Sequence, residues 1–365
     1  MRTYLAAKHA WLTRHTRMSH TVVAPACAQQ GTDGVLVSVP SVSIRNADGY
    51  RLPRSVRGTA RTLQNLQPDL IEVGDPYQFA WAALRARRRL QVPVVAFYHS
   101  HLQQAVALRM GKLAGGLARR YSALLYRQFD LVLAPSALMV GHLRALGVHQ
   151  VRHQPLGVDC DIFHPRRRNP ALRSQLGLPP DARLLVYAGR FTPEKRVPLL
   201  LQALQRLGQP YYLLLIGGPP QSGLPARVLQ LPFQHRPQGL AGLLASCDLL
   251  VHPGDQETFG LVVLEAMACG LPVLGVDSGG VRELIDPASG LLVPPASVAA
   301  LTDGIAALFQ GDRAQLGANA RARVLQHYDW EIIFPQLLGH YASLFAARRR
   351  CEFEARLPRF FLAAD

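Results

Sequence analysis

The chain reads as an α/β protein built from two doubly wound, Rossmann-like domains facing each other across a cleft. Three observations predict this. At 365 residues, 49% apolar and 18% charged, it is long enough for two cores and has no disorder signature. Short apolar runs alternate with helix-patterned segments, as in parallel sheets covered on both faces. A basic, Pro-rich stretch around residues 163–180 interrupts this alternation, which then restarts.

In the first half, residues 21–25 and 35–39 have the composition of short strands. Residues 70–73 and 94–98 are apolar runs preceded by Pro68 and Pro93, and 131–134 is another. Helical patterns lie at 77–89, 102–126 and 137–146. The second half restarts with a strand at 184–188 and a helix at 197–207. Strands follow at 211–216 and 229–233, then a short helix and a strand at 249–252. An Ala-rich helix opens near Phe259-Gly260. Strands at 272–276 and 290–293 and helices at 298–309 and 313–327 complete the half, and 330–345 has an amphipathic helical pattern. The predicted domains are 1–165 and 166–334, with a closing helical segment at 335–365. Ligands of doubly wound sheets bind at the carboxyl ends of the strands, so the cleft is the expected site.

Charge is unevenly placed. Through Arg168 there are 23 Lys/Arg against 8 Asp/Glu, while the remainder has 17 against 16. Either a general preference for Arg over Lys or a first domain facing anionic lipid or an anionic acceptor would produce this. Nucleic acid is not expected as a partner, because no nucleic-acid-binding motif accompanies the charge and aromatics are 7%. No apolar run reaches the ~18 residues that span a bilayer, and the first residues lack a signal-peptide pattern. Cys27, Cys160, Cys247, Cys269 and Cys351 are odd in number and widely spaced, as expected of reduced thiols in a cytoplasmic protein.

The most informative stretch is GDQETFGLVVLEAMACGLPVLGVDSGGVRELI, residues 254–285. Glu257 precedes a helix start, and Glu265 lies inside that helix. The first backbone N–H groups, of Phe259, Gly260 and Leu261, point from its positive end. N–H groups at a helix start suit phosphate oxygens, and carboxylates accept from sugar hydroxyls. A sugar joined to a nucleoside diphosphate wants both. Upstream, Gly189-Arg190-Phe191-Thr192-Pro193-Glu194-Lys195 follows a strand. Gly189 permits a tight turn, and Arg190 and Lys195 could neutralise a diphosphate leaving group without a metal. In the first half, Tyr98-His99-Ser100-His101 ends an apolar strand.

These motifs resemble those of the family-4 retaining glycosyltransferases of GT-B fold, in particular their mannosyl- and sulfoquinovosyltransferase branch. The resemblance covers nearly the whole chain and is strongest over 187–294. It implies transfer of a hexose from a nucleotide sugar, GDP-mannose or a UDP-hexose, to a lipid or glycan acceptor, with retention of anomeric configuration. It further implies that Arg190 and Lys195 hold the diphosphate, Glu257 the sugar hydroxyls and Glu265 the ribose, and that His99 lines the sugar pocket near the anomeric carbon. No metal and no cofactor beyond the donor are expected. A cytoplasmic location is expected, peripheral to the inner face of the membrane, with the final helix returning to the first domain.

The resemblance fails at the start, where family members have a strand and a Gly-rich loop before their first helix. This sequence opens with residues that already read as that helix, so the expectation is a first domain without its first strand, through a misplaced start or a truncated gene. Two further readings stay open: a nucleotide-sugar epimerase of the same fold, and a sugar-nucleotide-binding remnant without turnover.

Overall fold

The computed structural model describes residues 2–25, 36–43, 51–99 and 101–356. Cys27, Val35 and Ser100 lie outside the described residues, as does the side chain of Cys351. The chain divides into two compact units. The first gathers Met1–Pro135, Met139–Gln154 and Phe334–Asp365, and the second Ser136–Leu138 and Pro155–Ile333.

In chain order the first unit contains α1 (Arg2–His15), β1 (Val22–Pro25), β2 (Leu36–Val39), β3 (Ser41–Ser43), β4 (Arg51–Pro53), α2 (Val56–Asn65), β5 (Ile71–Val73) and α3 (Gln78–Leu90). It continues with β6 (Val94–Phe97), α4 (Leu102–Tyr126), β7 (Leu131–Ala134), most of α5 (Ala137–Ala145) and β8 (Val151–His153). Strands β5, β6, β7 and β8 form a parallel four-stranded sheet in that order. Strands β1 and β2 pair in parallel by themselves, and β3–β4 is an antiparallel hairpin. Among the described residues no strand joins the β1–β2 pair to β5. Helix α1 buries Tyr4, Lys8, Trp11 and Leu12, spaced four, three and one residues apart along one helical face.

The second unit contains α6 (Leu172–Gln175), β9 (Arg183–Ala188), α7 (Val197–Leu207), β10 (Tyr211–Ile216), β11 (Val228–Leu231), α8 (Pro237–Ser246) and β12 (Leu249–His252). Then come α9 (Leu261–Ala268), β13 (Val273–Val276), α10 (Val281–Leu284), β14 (Gly290–Val293), α11 (Val298–Gln310), α12 (Arg313–His327) and the start of α13 (Trp330–Arg356). Its six strands are all parallel, in the order β11-β10-β9-β12-β13-β14, with the reversal beside β9 that defines a doubly wound sheet. Alternation along β9 sends Leu184, Val186 and Ala188 into one core and Leu185 and Tyr187 into another, so both faces are covered. That is why these strands read as unbroken apolar runs.

Residues 155–165 count with the second unit, although the sequence reading assigned them to the first domain. The reason is local: the Val158 amide donates to Tyr328 O at 2.9 Å, and a Cβ on Gly157 would fall 2.6 Å from the Trp330 ring. From Phe334 onward α13 belongs to the first unit, where Phe334 packs against Tyr4 and Trp11. No helix among the described residues is long and apolar enough to cross a membrane.

Candidate active site

Strands β9 and β12 are parallel neighbours, with Leu249 opposite Leu185 and Leu250 opposite Val186. The loops that follow them therefore leave the same edge of the sheet. On these two loops and on α9 lie all the residues singled out in the second half of the sequence.

After β9, Gly189 has φ +153°, and a Cβ there would lie 3.1 Å from the Tyr187 hydroxyl. That hydroxyl donates to Arg190 O at 2.7 Å and so fixes the turn. Gly217, just past β10, has φ +98°, and a Cβ on it would fall 2.7 Å from Gly189 O. Arg190 is exposed, and its guanidinium forms no ion pair among the described residues. Arg196, in the left-handed region at φ +53°, pairs with Asp255 at 3.1 Å. Lys195 reaches the second loop and forms an ion pair with Glu257.

After β12, His252 is buried, and its Nε2 lies 3.0 Å from Glu257 Oε1. An ionised carboxylate only accepts, so Nε2 carries the proton. Burial opposes ionisation of Glu257, but the His252 hydrogen bond and the Lys195 charge outweigh it. The carboxyl is held well below its ordinary range. Gly279 and Gly280 press the same loop from the far side. A Cβ on Gly279 would sit 2.7 Å from Glu257 O, and one on Gly280 would sit 2.5 Å from Thr258 O. The Gly280 amide donates to Glu257 O at 2.8 Å.

Gly260, with φ +102°, caps α9. The N–H groups of Phe259, Gly260 and Leu261 donate to no other group among the described residues, so they can bind an anion. Glu265, one turn further, is 9% exposed with no hydrogen-bond partner among the described residues, and burial pushes its pKa up to about 8. Lys195 and Glu257 are thus brought into contact, Phe259, Gly260 and Leu261 follow on the same loop, and Gly189 and Arg190 occupy the adjoining one.

His99 belongs to the first unit, just beyond β6. Its ring stacks on Phe97 with centroids 4.3 Å apart and rings 6° from parallel, and it lies 5.4 Å from Tyr4. Burial lowers its pKa to about 3, so it is a neutral imidazole near pH 7, able to share a hydrogen bond but not to act as a cationic acid.

The sequence reading missed His252 as a partner of Glu257. The signal was a histidine closing the apolar run Leu249-Leu250-Val251, where only a partnered polar group is stable. It also took the chain to lack an Asp-x-Asp motif, although Asp159-Cys160-Asp161 has that spacing. There Asp159 Oδ1 accepts the amides of Asp161 and Ile162 at 3.0 and 2.8 Å and stabilises a local turn. Among the described residues no three His, Cys, Asp or Glu side chains are grouped to hold a metal.

Two Rossmann-like units, one with a helix start beside two glutamates, have the architecture of the GT-B glycosyltransferases. The family model described as Glycosyl transferases group 1 matches residues 169–323, and that for Glycosyltransferase Family 4 matches residues 10–162. A GDP-mannose-dependent alpha-mannosyltransferase of Mycobacterium tuberculosis is 33% identical over 343 residues, 91% of this chain and 89% of the relative. The sulfoquinovosyl transferase of Arabidopsis thaliana is 31% identical over 76% of this chain and 56% of its own. Among solved structures, sucrose-phosphate synthase from Thermosynechococcus elongatus superposes with a TM-score of 0.76 at 24% identity, covering 94% of this chain and 92% of that one. The chain belongs to the family-4, group 1 glycosyltransferases.

Proposed function

We propose that this glycosyltransferase moves a hexose from a nucleoside-diphosphate sugar to a lipid or glycan acceptor, with retention and without an essential metal. The observation that carries this reading is the ionised Glu257, held between His252 and Lys195 at the mouth of a helix start with unspent N–H groups. Lys195 and Arg190 neutralise the departing diphosphate together with the N–H groups of Phe259, Gly260 and Leu261. Glu257 accepts from the sugar hydroxyls, and His252 fixes its orientation. Glu265 accepts from the ribose. His99 keeps the role that the resemblance gives it, a neutral hydrogen-bonding group for the sugar. A phosphate oxygen of the leaving group takes the acceptor proton, so no protein nucleophile is needed. The name of the mycobacterial relative supports GDP-mannose as donor.

The test is a thermal-shift panel of GDP, GDP-mannose, UDP and UDP-glucose, since ligand bound only by the native state raises the melting point. Transfer from the stabilising donor to extracted membrane lipid or glycan then follows, with the product anomer read by NMR and the assay repeated with EDTA. We expect an α-linked product, undiminished by EDTA. The reading fails if no nucleotide shifts the melting point, or if the donor sugar is epimerised without an acceptor.

A further inference from the structure

Helices α2, α3 and α4 of the first unit carry ten Lys and Arg residues and no Asp or Glu. Arg87 pairs with Asp130 at 3.1 Å. Five others, Arg57, Arg61, Arg85, Arg88 and Arg89, line a single cavity of about 200 Å³ with Ala60 and Gln64. Five like charges around one concavity repel one another, and an anion inside it would relieve that repulsion.

Along α4, Leu113, Leu117 and Leu124 are 89%, 68% and 66% exposed, and Met110 is 73% exposed. At about 100° per residue the three leucines fall within roughly 40° of one another, with Arg120 about 20° to one side of them. Gly111, at φ +86°, kinks the helix, and Met110 lies just before that kink. Trp81 of α3 donates its indole N–H to the Tyr121 hydroxyl of α4 at 3.0 Å, and Arg85 stands one turn along α3 from Trp81. That hydrogen bond joins the arginine-bearing helix α3 to the leucine-bearing helix α4.

Contiguous exposed leucines on a folded helix mark an interaction surface. Charge selects the occupant. A second copy in a two-fold interface would set the same cations against themselves, whereas an anionic bilayer neutralises them and accepts the leucines. No described helix can span a bilayer, so this one would lie on it.

We propose that the leucine stripe of α4 enters the headgroup layer of an anionic membrane while the arginines between α2 and α3 hold lipid phosphates. This extends the lipid-acceptor reading to a particular face. Vesicle binding is read without transfer, so either can fail alone. The experiment is flotation of the full chain with phosphatidylcholine vesicles, with and without phosphatidylglycerol. We expect at least about tenfold tighter binding to the anionic vesicles, weakened by salt. Leu113→Ser/Leu117→Ser/Leu124→Ser and Arg57→Gln/Arg61→Gln/Arg85→Gln should each lose about tenfold or more. Arg57→Lys/Arg61→Lys/Arg85→Lys should keep most of the binding, and far-UV circular dichroism and melting point establish that every variant is folded. Equal binding to neutral vesicles overturns the proposal. So does wild-type binding by the folded leucine variant, or a solution dimer that the leucine substitutions dissociate.

Discussion

Glu257 and Glu265 stand eight positions apart in opposite surroundings. Glu257 is buried but met by His252 and Lys195, and stays ionised. Lys195→Ala removes the proposed diphosphate partner and one of the two groups that offset the burial of Glu257. We expect kcat/KM to fall about 100-fold or more, with a melting point lowered by only a few degrees. Retained activity in a folded Lys195→Ala enzyme would place the phosphates elsewhere. Glu265 has no compensating partner, and its carboxyl keeps its proton up to about pH 8 against an ordinary value of 4.5. Between those values the native state binds a proton that the unfolded chain has released, so stability falls as pH rises through the window and levels off above it. At ~1.4 kcal/mol for each pH unit over which the proton is retained, the loss by pH 8 amounts to a few kcal/mol. Glu265→Gln keeps the shape without the titration. Urea denaturation from pH 5 to 9 should show that slope flattened and the variant the more stable at pH 8, and parallel curves for the two proteins would refute the assignment.

At the scale of elements, the site is made by two neighbouring strands releasing loops at one sheet edge and by a glycine pair pressing one loop into place. Gly280 has an ordinary φ of −72°, so Gly280→Ala tests contact alone: its Cβ would overlap Thr258 O and the Phe259 backbone. The loop carrying Glu257 must then shift, and positional errors of an ångström in a binding loop can cost about 100-fold in rate. We expect kcat/KM to fall by about that factor. The control is Gly339→Ala on α13, whose Cβ meets nothing within 4 Å and which should stabilise the helix by ~1 kcal/mol. Equal activity in the two variants would remove the glycine pair from the mechanism. Most of this architecture was legible beforehand, because strands covered on both faces are unbroken apolar runs and Gly189 marks a tight turn, where φ is +153°. The β3–β4 hairpin and α2 were not. Residues 41–43 and 51–53 are three-residue strands with half-buried polar positions, and α2 buries only Thr59, Ala60 and Leu63 beneath arginines. The Glu257–His252 pairing was hidden too, since hydrogen-bonding partners five residues apart across a loop have no periodicity to betray them.

On the scale of the whole molecule, the first unit is assembled from three stretches of chain, and Glu72 ties the last of them to the first. It lies on β5 between Ile71 and Val73, which face the core. On the opposite face it pairs with Lys8 of α1 at 3.0 Å and accepts from Tyr4 at 3.0 Å and from Tyr341 of α13. Lys8 also donates to Tyr341 at 2.9 Å. The closing segment of the chain is thus tied to its opening helix through one buried carboxylate. Burial alone would raise the pKa of Glu72, but the Lys8 charge and the Tyr341 hydrogen bond hold it below the ordinary range. A buried ion pair contributes little relative to an apolar replacement of both partners, yet removing one partner strands the other's charge at a cost of ~3–5 kcal/mol. Glu72→Gln should therefore lower the urea midpoint severely. Adding Lys8→Met to Glu72→Gln should recover more than half of the loss, because the stranded cation goes with it. Nucleotide-induced melting shifts, which the proposed site assigns to the second unit, should persist in the double variant. If the double variant is instead less stable than either single one, Lys8 and Glu72 act independently and the buried cluster is not what ties the closing stretch to the first.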